Sequence, residues 1–304
     1  MNERIVFMGS PEFSIPSLRA LVEKYEIVGV VTQPDRPAGR GRAMTPPPIK
    51  LLAKELGLDI IQPRRMSDAD AMEQLRVWNP VVIVVAAFGQ ILKSEVLDLP
   101  LHGCLNVHGS LLPRWRGAAP INAAILHGDK ETGVTIMRLD PGVDTGPIIS
   151  QRSIEILPTD TASSLSSRLA VIGAELLVET LPGYLCGDLK PQPQDESLAT
   201  YATMLKKEDG LLVFDYSAEE LAQKVRAYNP WPSAYTLWQG QVLKVHRAHP
   251  VEEAQAGPGE TVIFGKMPAF GTTRGLLVLD EVQPAGRKVM SGEVFLRGAR
   301  DWES

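Results

Sequence analysis

The seven residues Val81-Val82-Ile83-Val84-Val85-Ala86-Ala87 are apolar without a break and mostly β-branched. A strand with one face in water would alternate in polarity, whereas this run demands cover on both faces. It predicts a central strand of a sheet lying between helices, and the flanking sequence alternates as such a sheet requires. Further strands are expected at Arg4 to Met8, Ile27 to Thr32 and Cys104 to His108. Helices fit at Ile15 to Lys24, Ile49 to Leu56, Asp68 to Val77 and Ile121 to His127. Alternation of this kind specifies an α/β fold, a Rossmann-like and mostly parallel sheet with helices on both faces. Ligands of open sheets of this class sit beyond the C-terminal ends of the strands, so chemistry is sought there.

Strand candidates at Thr132 to Leu139 and Ile148 to Ile156 precede an apolar-periodic helix from Ala162 to about Leu185. The texture then changes. Gly187 to Glu196 is polar, carries two prolines and has no apolar periodicity, the composition of a linker. After Lys206 come one helix-like stretch, Ala218 to Tyr228, and short strand-like runs at Tyr235 to Leu237, Val242 to His246, Thr261 to Phe264 and Leu276 to Val282. These predict a small C-terminal β-barrel, OB-like in kind. The expected organisation is a first domain over 1–188, a linker over 189–206 and the β-barrel domain over 207–304.

Several function classes lose support at this level. Met1 to Arg4 run directly into Ile5-Val6-Phe7-Met8 without the basic start and cleavage site of a secretory signal, and no apolar run nears the roughly 18 residues of a membrane span. Cys104 and Cys186 form no C-x-x-C pair, so neither a disulfide framework nor a structural zinc site is indicated, and a reduced, cytoplasmic setting is expected. A nicotinamide enzyme would place G-x-G-x-x-G after the first strand, where this chain has Gly9-Ser10-Pro11. The formal net charge is -5, but most of the acidic surplus falls within residues 101–204, which leaves either end free to present a basic face to nucleic acid.

Three segments carry candidate chemistry. Asn106-Val107-His108 closes a strand, and a period of two directs its Asn and His to one face. Asp140-Pro141-Gly142-Val143-Asp144-Thr145-Gly146-Pro147 joins two apolar strands. Each alone has a structural reading, as a satisfied polar group or as a turn in which Asp caps amides. Together Asn, His and Asp make a set suited to acyl transfer. The third segment, Gln33 to Pro48, is rich in Pro and Gly and carries Arg36, Arg40 and Arg42; its plain reading is a solvated basic connection.

The segment Gly103 to Pro120 (GCLNVHGSLLPRWRGAAP), followed by the D-x-G-x-D-T-G turn ending at Gly146, resembles the folate-dependent formyltransferases. The resemblance runs essentially end to end through Gly9 to Phe13, Thr32 to Arg42, Asn229-Pro230-Trp231-Pro232 and Gln283 to Lys288. It implies transfer of a formyl group from 10-formyltetrahydrofolate, as co-substrate, to the α-amino group of methionine carried by initiator tRNA, in translation initiation. It implies Asn106 and His108 as donors to the developing oxyanion, and Asp144 as the group that orients His108 and favours its charged form. It places folate along Ala86 to Gln90 and along Ser110, Leu111, Leu112 and Pro113. It makes Arg36, Arg40, Arg42 and Lys206 contacts to tRNA in the cytoplasm, with Lys207, Arg287 and Lys288 as further cations of the second domain. The reaction requires no metal, no membrane partner is implied, and a monomer is the default. Relatives that formylate an amino sugar or a ribonucleotide amine would share the Asn, His and Asp but not the arginine-bearing loop.

Overall fold

The computed structural model describes residues 3–38 and 43–303. Chain order is β1 (Arg4–Gly9), α1 (Ile15–Val22), β2 (Glu26–Val31), β3 (Arg36–Ala38), β4 (Ala43–Thr45), α2 (Pro48–Glu55), β5 (Ile60–Ile61), α3 (Ala69–Trp78), β6 (Val82–Ala86), α4 (Ser94–Leu97), β7 (Cys104–His108), β8 (Arg116–Gly117), α5 (Pro120–Leu126), β9 (Glu131–Arg138), β10 (Ile148–Glu155) and α6 (Ala162–Leu185). There follow β11 (Tyr201–Ala202), α7 (Ala218–Ala227), β12 (Ala234–Trp238), β13 (Gln241–Val251), β14 (Thr261–Phe264), β15 (Met267–Gly271), β16 (Leu276–Pro284), β17 (Met290–Ser291) and α8 (Gly292–Gly298). No helix among the described residues is long and apolar enough to cross a membrane.

A seven-stranded sheet in the order β10-β9-β7-β6-β1-β2-β5 organises the first compact unit. The pairs β6–β1, β1–β2, β2–β5 and β6–β7 are parallel, and β7–β9 is antiparallel. The apolar run is β6, the middle strand, and every residue in it is buried. On one face Val6, Met8, Ile83 and Val85 pack with Ala71, Met72, Leu75 and Trp78 of α3 and with Val96 and Leu97 of α4. On the other, α6 approaches so closely at Gly173 that a Cβ there would press on Val107. Both faces are thus covered by helices, as an unalternating strand requires.

The chain divides into two compact units that interleave in sequence. The first takes the chain up to Gly117 together with Thr132–Ile154 and Ser166–Tyr201; the second takes Ala118–Glu131, Glu155–Leu165 and the chain from Ala202 onward. The expected boundary treats residues 189–206 as linker, yet the first part of that segment is fastened within the first unit. Gln192 exchanges both backbone hydrogen bonds with Ile148, at 2.7 and 2.8 Å. Conversely α5 belongs to the second unit, where the Asn122 side chain donates to the Ala227 carbonyl at the end of α7. Polar composition signals exposure, and exposed backbone can still be bound at a sheet edge.

In the second unit the strands run β12-β13-β16-β15-β14 with β17 beside β16, all antiparallel. Irregular register between β13 and β16 around Arg247 lets the long strand bend over the apolar cluster of Phe270, Phe295 and Trp302. Helix α7 opens with a reciprocal cap in which Ser217 and Glu220 bind each other's backbone N–H, which accounts for its sharp start.

Trp78 lies against the bare backbone of β2 at Gly29, and a Cβ at Gly29 would overlap the buried indole. Gly29→Ala is therefore expected to destabilise the protein by about 1–3 kcal/mol through overpacking, read as a lower urea midpoint at unchanged slope.

Candidate active site

Strand β7 ends at the C-terminal edge of the parallel sheet and delivers Asn106 and His108. The antiparallel neighbour β9 places Thr135 directly opposite His108. His108 is buried, and its Nε2 lies 3.1 Å from the Trp115 carbonyl. A carbonyl can only accept, so Nε2 carries the hydrogen, and in the neutral ring the lone pair is on Nδ1. That Nδ1 faces Asp144 Oδ2 at 3.7 Å, near enough for charge attraction and too far for a hydrogen bond.

Asp144 has a left-handed backbone, φ 53°, a conformation that Asp tolerates better than most residues. Its carboxylate is fixed from one side, where the Gly117 N–H donates to Oδ2 at 2.8 Å. Trp115 is also left-handed, φ 59°, and adjoins the same glycine through Arg116. Left-handed non-glycine residues gathered at one point mark a place where surrounding contacts dictate the backbone. The half-buried Asn106 amide has no side-chain hydrogen bond among the described residues. Among the described residues, an amide donor, an imidazole with one nitrogen making no hydrogen bond and a carboxylate with one oxygen making none converge at a strand terminus. That is the equipment for stabilising an oxyanion and moving a proton.

The same stretch of chain matches the family model described as "Formyl transferase" over residues 3–181, and residues 204–300 match "Formyl transferase, C-terminal domain". The chain belongs to the formyl transferase family. Within it, the methionyl-tRNA formyltransferase of Bacillus pumilus is 50% identical over 301 residues, 97% of this chain and 95% of that protein. The enzyme of the same name from Geobacter metallireducens is 45% identical over 298 residues, 97% and 96% of the two chains. Among solved structures, the N-formyltransferase from Helicobacter canadensis in complex with folinic acid and dTDP-3-aminofucose aligns with a TM-score of 0.70 at 17% identity, covering 93% of this chain and all of that one. The chain spans about half the length of the Aquifex aeolicus HypX structures it also matches.

The loop after His108 is the most tightly held part of this formyl transferase site. Thr135, fully buried, donates from Oγ1 to the Ser110 carbonyl at 2.7 Å and accepts from the Leu112 N–H at 3.1 Å. Gln151 donates to both the Leu112 carbonyl and Thr135 Oγ1 at 2.9 Å. The Leu111 carbonyl accepts from Arg114 N–H, and that of Pro113 from Thr200 N–H. Along Ser110, Leu111, Leu112 and Pro113, where a ligand is expected to meet backbone groups, the four carbonyls and the Leu112 N–H are engaged by the protein. The loop's offering is shape, with the Leu111 side chain packed where Gly133 leaves room. Across the sheet edge, Ala87 and Gly89 are exposed with positive φ, and the loop between them is tied down by Ser10 and Gln33 at the Phe88 carbonyl.

Of the expected tRNA contacts, Arg36 is exposed on the two-stranded antiparallel ribbon β3–β4 and donates to Gln33 Oε1 at 3.1 Å. The segment read as an irregular connection is thus a short ribbon where it is described; Arg40 and Arg42 lie outside the described residues. Lys206 is exposed in the second unit, ahead of the turn Lys207–Gly210, with its N–H capped by Asp209.

Sequence reading missed Thr135, Gln151, Arg116 and Gln194. Thr135 had a signal, a hydroxyl set among the apolar residues Val134, Ile136 and Met137 of a buried strand. The others had none. Arg116 looks like its neighbour Arg114 in sequence, yet its side chain is fully enclosed and forms paired bonds to Glu196 at 2.8 and 2.9 Å and to Gln194 at 2.8 and 3.0 Å.

The hydrogen bonds from Arg116 hold the Glu196 carboxyl below its ordinary value. A depressed carboxylate stabilises the fold above its unfolded pKa and loses that contribution as pH falls through the folded one. Glu196→Gln is expected to lower the Tm at neutral pH, with the gap to the parent closing as the buffer is taken into the acid range below the usual glutamate pKa. A gap independent of pH would show that the carboxylate's ionisation plays no part.

Proposed function

We propose that this chain transfers the formyl group of 10-formyltetrahydrofolate to the α-amino group of methionine on initiator tRNA, in the cytoplasm. The observation that carries the reading is the convergence of the unpartnered Asn106 amide, the unbonded His108 Nδ1 and the Asp144 carboxylate at the end of β7. Near-full-length identity of 45–50% to enzymes named for that reaction supports the choice of substrate.

The residues fit the chemistry. Attack of the neutral amine on the formyl carbon creates an oxyanion, and the net proton movement runs from the attacking nitrogen to the folate nitrogen that leaves. The Asn106 amide donates to the oxyanion. His108 stays oriented by the Trp115 carbonyl at Nε2 and, when protonated, donates through Nδ1, the nitrogen the 3.7 Å gap leaves free. Asp144 keeps one oxygen on the Gly117 N–H and has the other to receive the amine's proton. The α-amine needs little activation, because its pKa near 8 leaves a useful neutral fraction. Oxyanion stabilisation is then the larger task. The edge from Ala86 to Gln90 and the rigid Ser110–Pro113 loop border the space for the folate ring. Arg36, Arg40, Arg42 and Lys206 grip tRNA phosphates, the arginines as forked donors that carry no base specificity.

The test is transfer of labelled formyl from 10-formyltetrahydrofolate to methionyl initiator tRNA, with free methionine and an amino sugar as parallel acceptors. Label on the tRNA alone is expected; label on the sugar alone would overturn the acceptor assignment. Asn106→Ala is expected to lower kcat roughly a hundredfold to a thousandfold, the loss of about 2.7–4 kcal/mol typical of one oxyanion donor, with the KM for folate little changed. Normal turnover in that variant would remove Asn106 from the mechanism.

A further inference from the structure

Asp144, the proton acceptor of the proposed reaction, is held largely through its main chain. Its backbone is left-handed, and among the described residues the carboxylate accepts a hydrogen bond only from the Gly117 N–H. The main chain around it is held by a residue from a segment with no expected role. Gln194 Nε2 donates to the Asp144 carbonyl at 2.8 Å and to the Gly146 carbonyl at 2.7 Å. Its Oε1 accepts two bonds from Arg116, at 3.0 Å from Nε and 2.8 Å from the terminal nitrogen. Both amide hydrogens and both lone pairs of Gln194 are therefore used, which is the full capacity of the side chain.

Arg116 connects these bonds to the rest of the site. It lies between Trp115, whose carbonyl orients His108, and Gly117, whose N–H holds Asp144 Oδ2. Its guanidinium is fully enclosed, so its position is set by its partners Gln194 and Glu196. One tripeptide therefore touches both members of the His–Asp pair, and the Gln194 side chain spans from that tripeptide to the backbone of Asp144.

We propose that Gln194 is a positioning residue for formyl transfer: by joining Arg116 to the carbonyls of Asp144 and Gly146, it fixes the 3.7 Å relation between Asp144 and His108. Deepening the function proposed above and resting on it, this makes the crossing segment after α6 a strap that completes the active site. Misplacing a reacting group by about 1 Å can cost a hundredfold in rate.

Two variants separate the parts. Gln194→Met keeps the volume and loses all four bonds; Gln194→Glu keeps acceptors for Arg116 but turns an oxygen toward two carbonyls. Both are expected to lower kcat roughly tenfold to a hundredfold, with KM for folate and for tRNA changed less than about twofold. In an Asp144→Asn background, Gln194→Met is expected to cost no more than about twofold further, because residues acting through one another are not additive. A readout independent of turnover is the ring ¹⁵N spectrum of His108. Gln194→Met is expected to move the Nδ1 resonance and leave Nε2, still on Trp115, in place. Equal losses in both backgrounds, an unchanged kcat, or an unmoved Nδ1 resonance would overturn the proposal. If the parent protein transfers no formyl to tRNA, the proposed function fails by itself, and the ¹⁵N shifts still decide whether Gln194 governs the His108–Asp144 geometry.

Discussion

The structure of the site depends on a single hydrogen bond, from His108 Nε2 to the carbonyl of Trp115. It fixes the tautomer, because a carbonyl can take only a proton-bearing nitrogen, and so decides which ring atom is left to the chemistry. It also ties the ring to the tripeptide Trp115-Arg116-Gly117, whose last N–H receives Asp144. The carboxylate expected from sequence to orient the imidazole stands 3.7 Å from it and is itself held by backbone. The loop carbonyl bonds the ring directly, and Asp144 faces the other ring nitrogen at a distance suited to charge attraction.

That arrangement requires a rigid base, which the sheet supplies. Strand β7 lies beside the wholly buried β6, while its other neighbour, β9, runs antiparallel and sets Thr135 opposite His108. Thr135 then reaches over the strand end to hold both the Ser110 carbonyl and the Leu112 N–H. Burying these groups unpaired would cost about 1–3 kcal/mol each, so the pairing of hydroxyl and loop discriminates strongly against other loop conformations. The antiparallel switch at β9 is therefore part of how the catalytic strand terminus is held.

Much of this was legible in the sequence, for physical reasons. The strand at Val82–Ala86 and the helix Ala162–Leu185 follow from apolar pattern alone, since burial imposes a periodicity that few other constraints mimic. Cys104–His108 was readable to the residue because glycine precedes it and a turn-rich loop follows. The strand Met267–Gly271 was not, because Pro268 and Gly271 break the usual strand signal, and the antiparallel neighbours Thr261–Phe264 and Leu276–Pro284 impose the pairing regardless. The short helix Gly292–Gly298 likewise carries glycine at both ends and rests on Ser291 as its cap. The roles of Arg116 and Gln194 were invisible for a different reason. Both are polar residues in polar surroundings, and what distinguishes them is a partner 78 positions away.

The distribution of satisfied and unsatisfied polar groups separates support from chemistry. Around His108 the supporting groups are fully engaged: Gln194 uses every donor and acceptor, Thr135 accepts as well as donates, and the carbonyls from Ser110 to Pro113 all have partners. The Asn106 amide, the Nδ1 of His108 and one oxygen of Asp144 are left over. Among the described residues the buried side-chain atoms without a partner are Ser17 Oγ and Trp78 Nε1, so these three groups at the strand terminus are open to solvent rather than sealed in the core. Open donors and acceptors gathered at one strand terminus are groups that a substrate can engage without first breaking a bond within the protein. The saturated shell holds the open groups apart, since closing the 3.7 Å gap into a hydrogen bond would occupy Nδ1, the nitrogen assigned to the oxyanion in the proposed reaction. Three polar groups stay open, and a network anchored in two distant segments of chain holds the backbone around them.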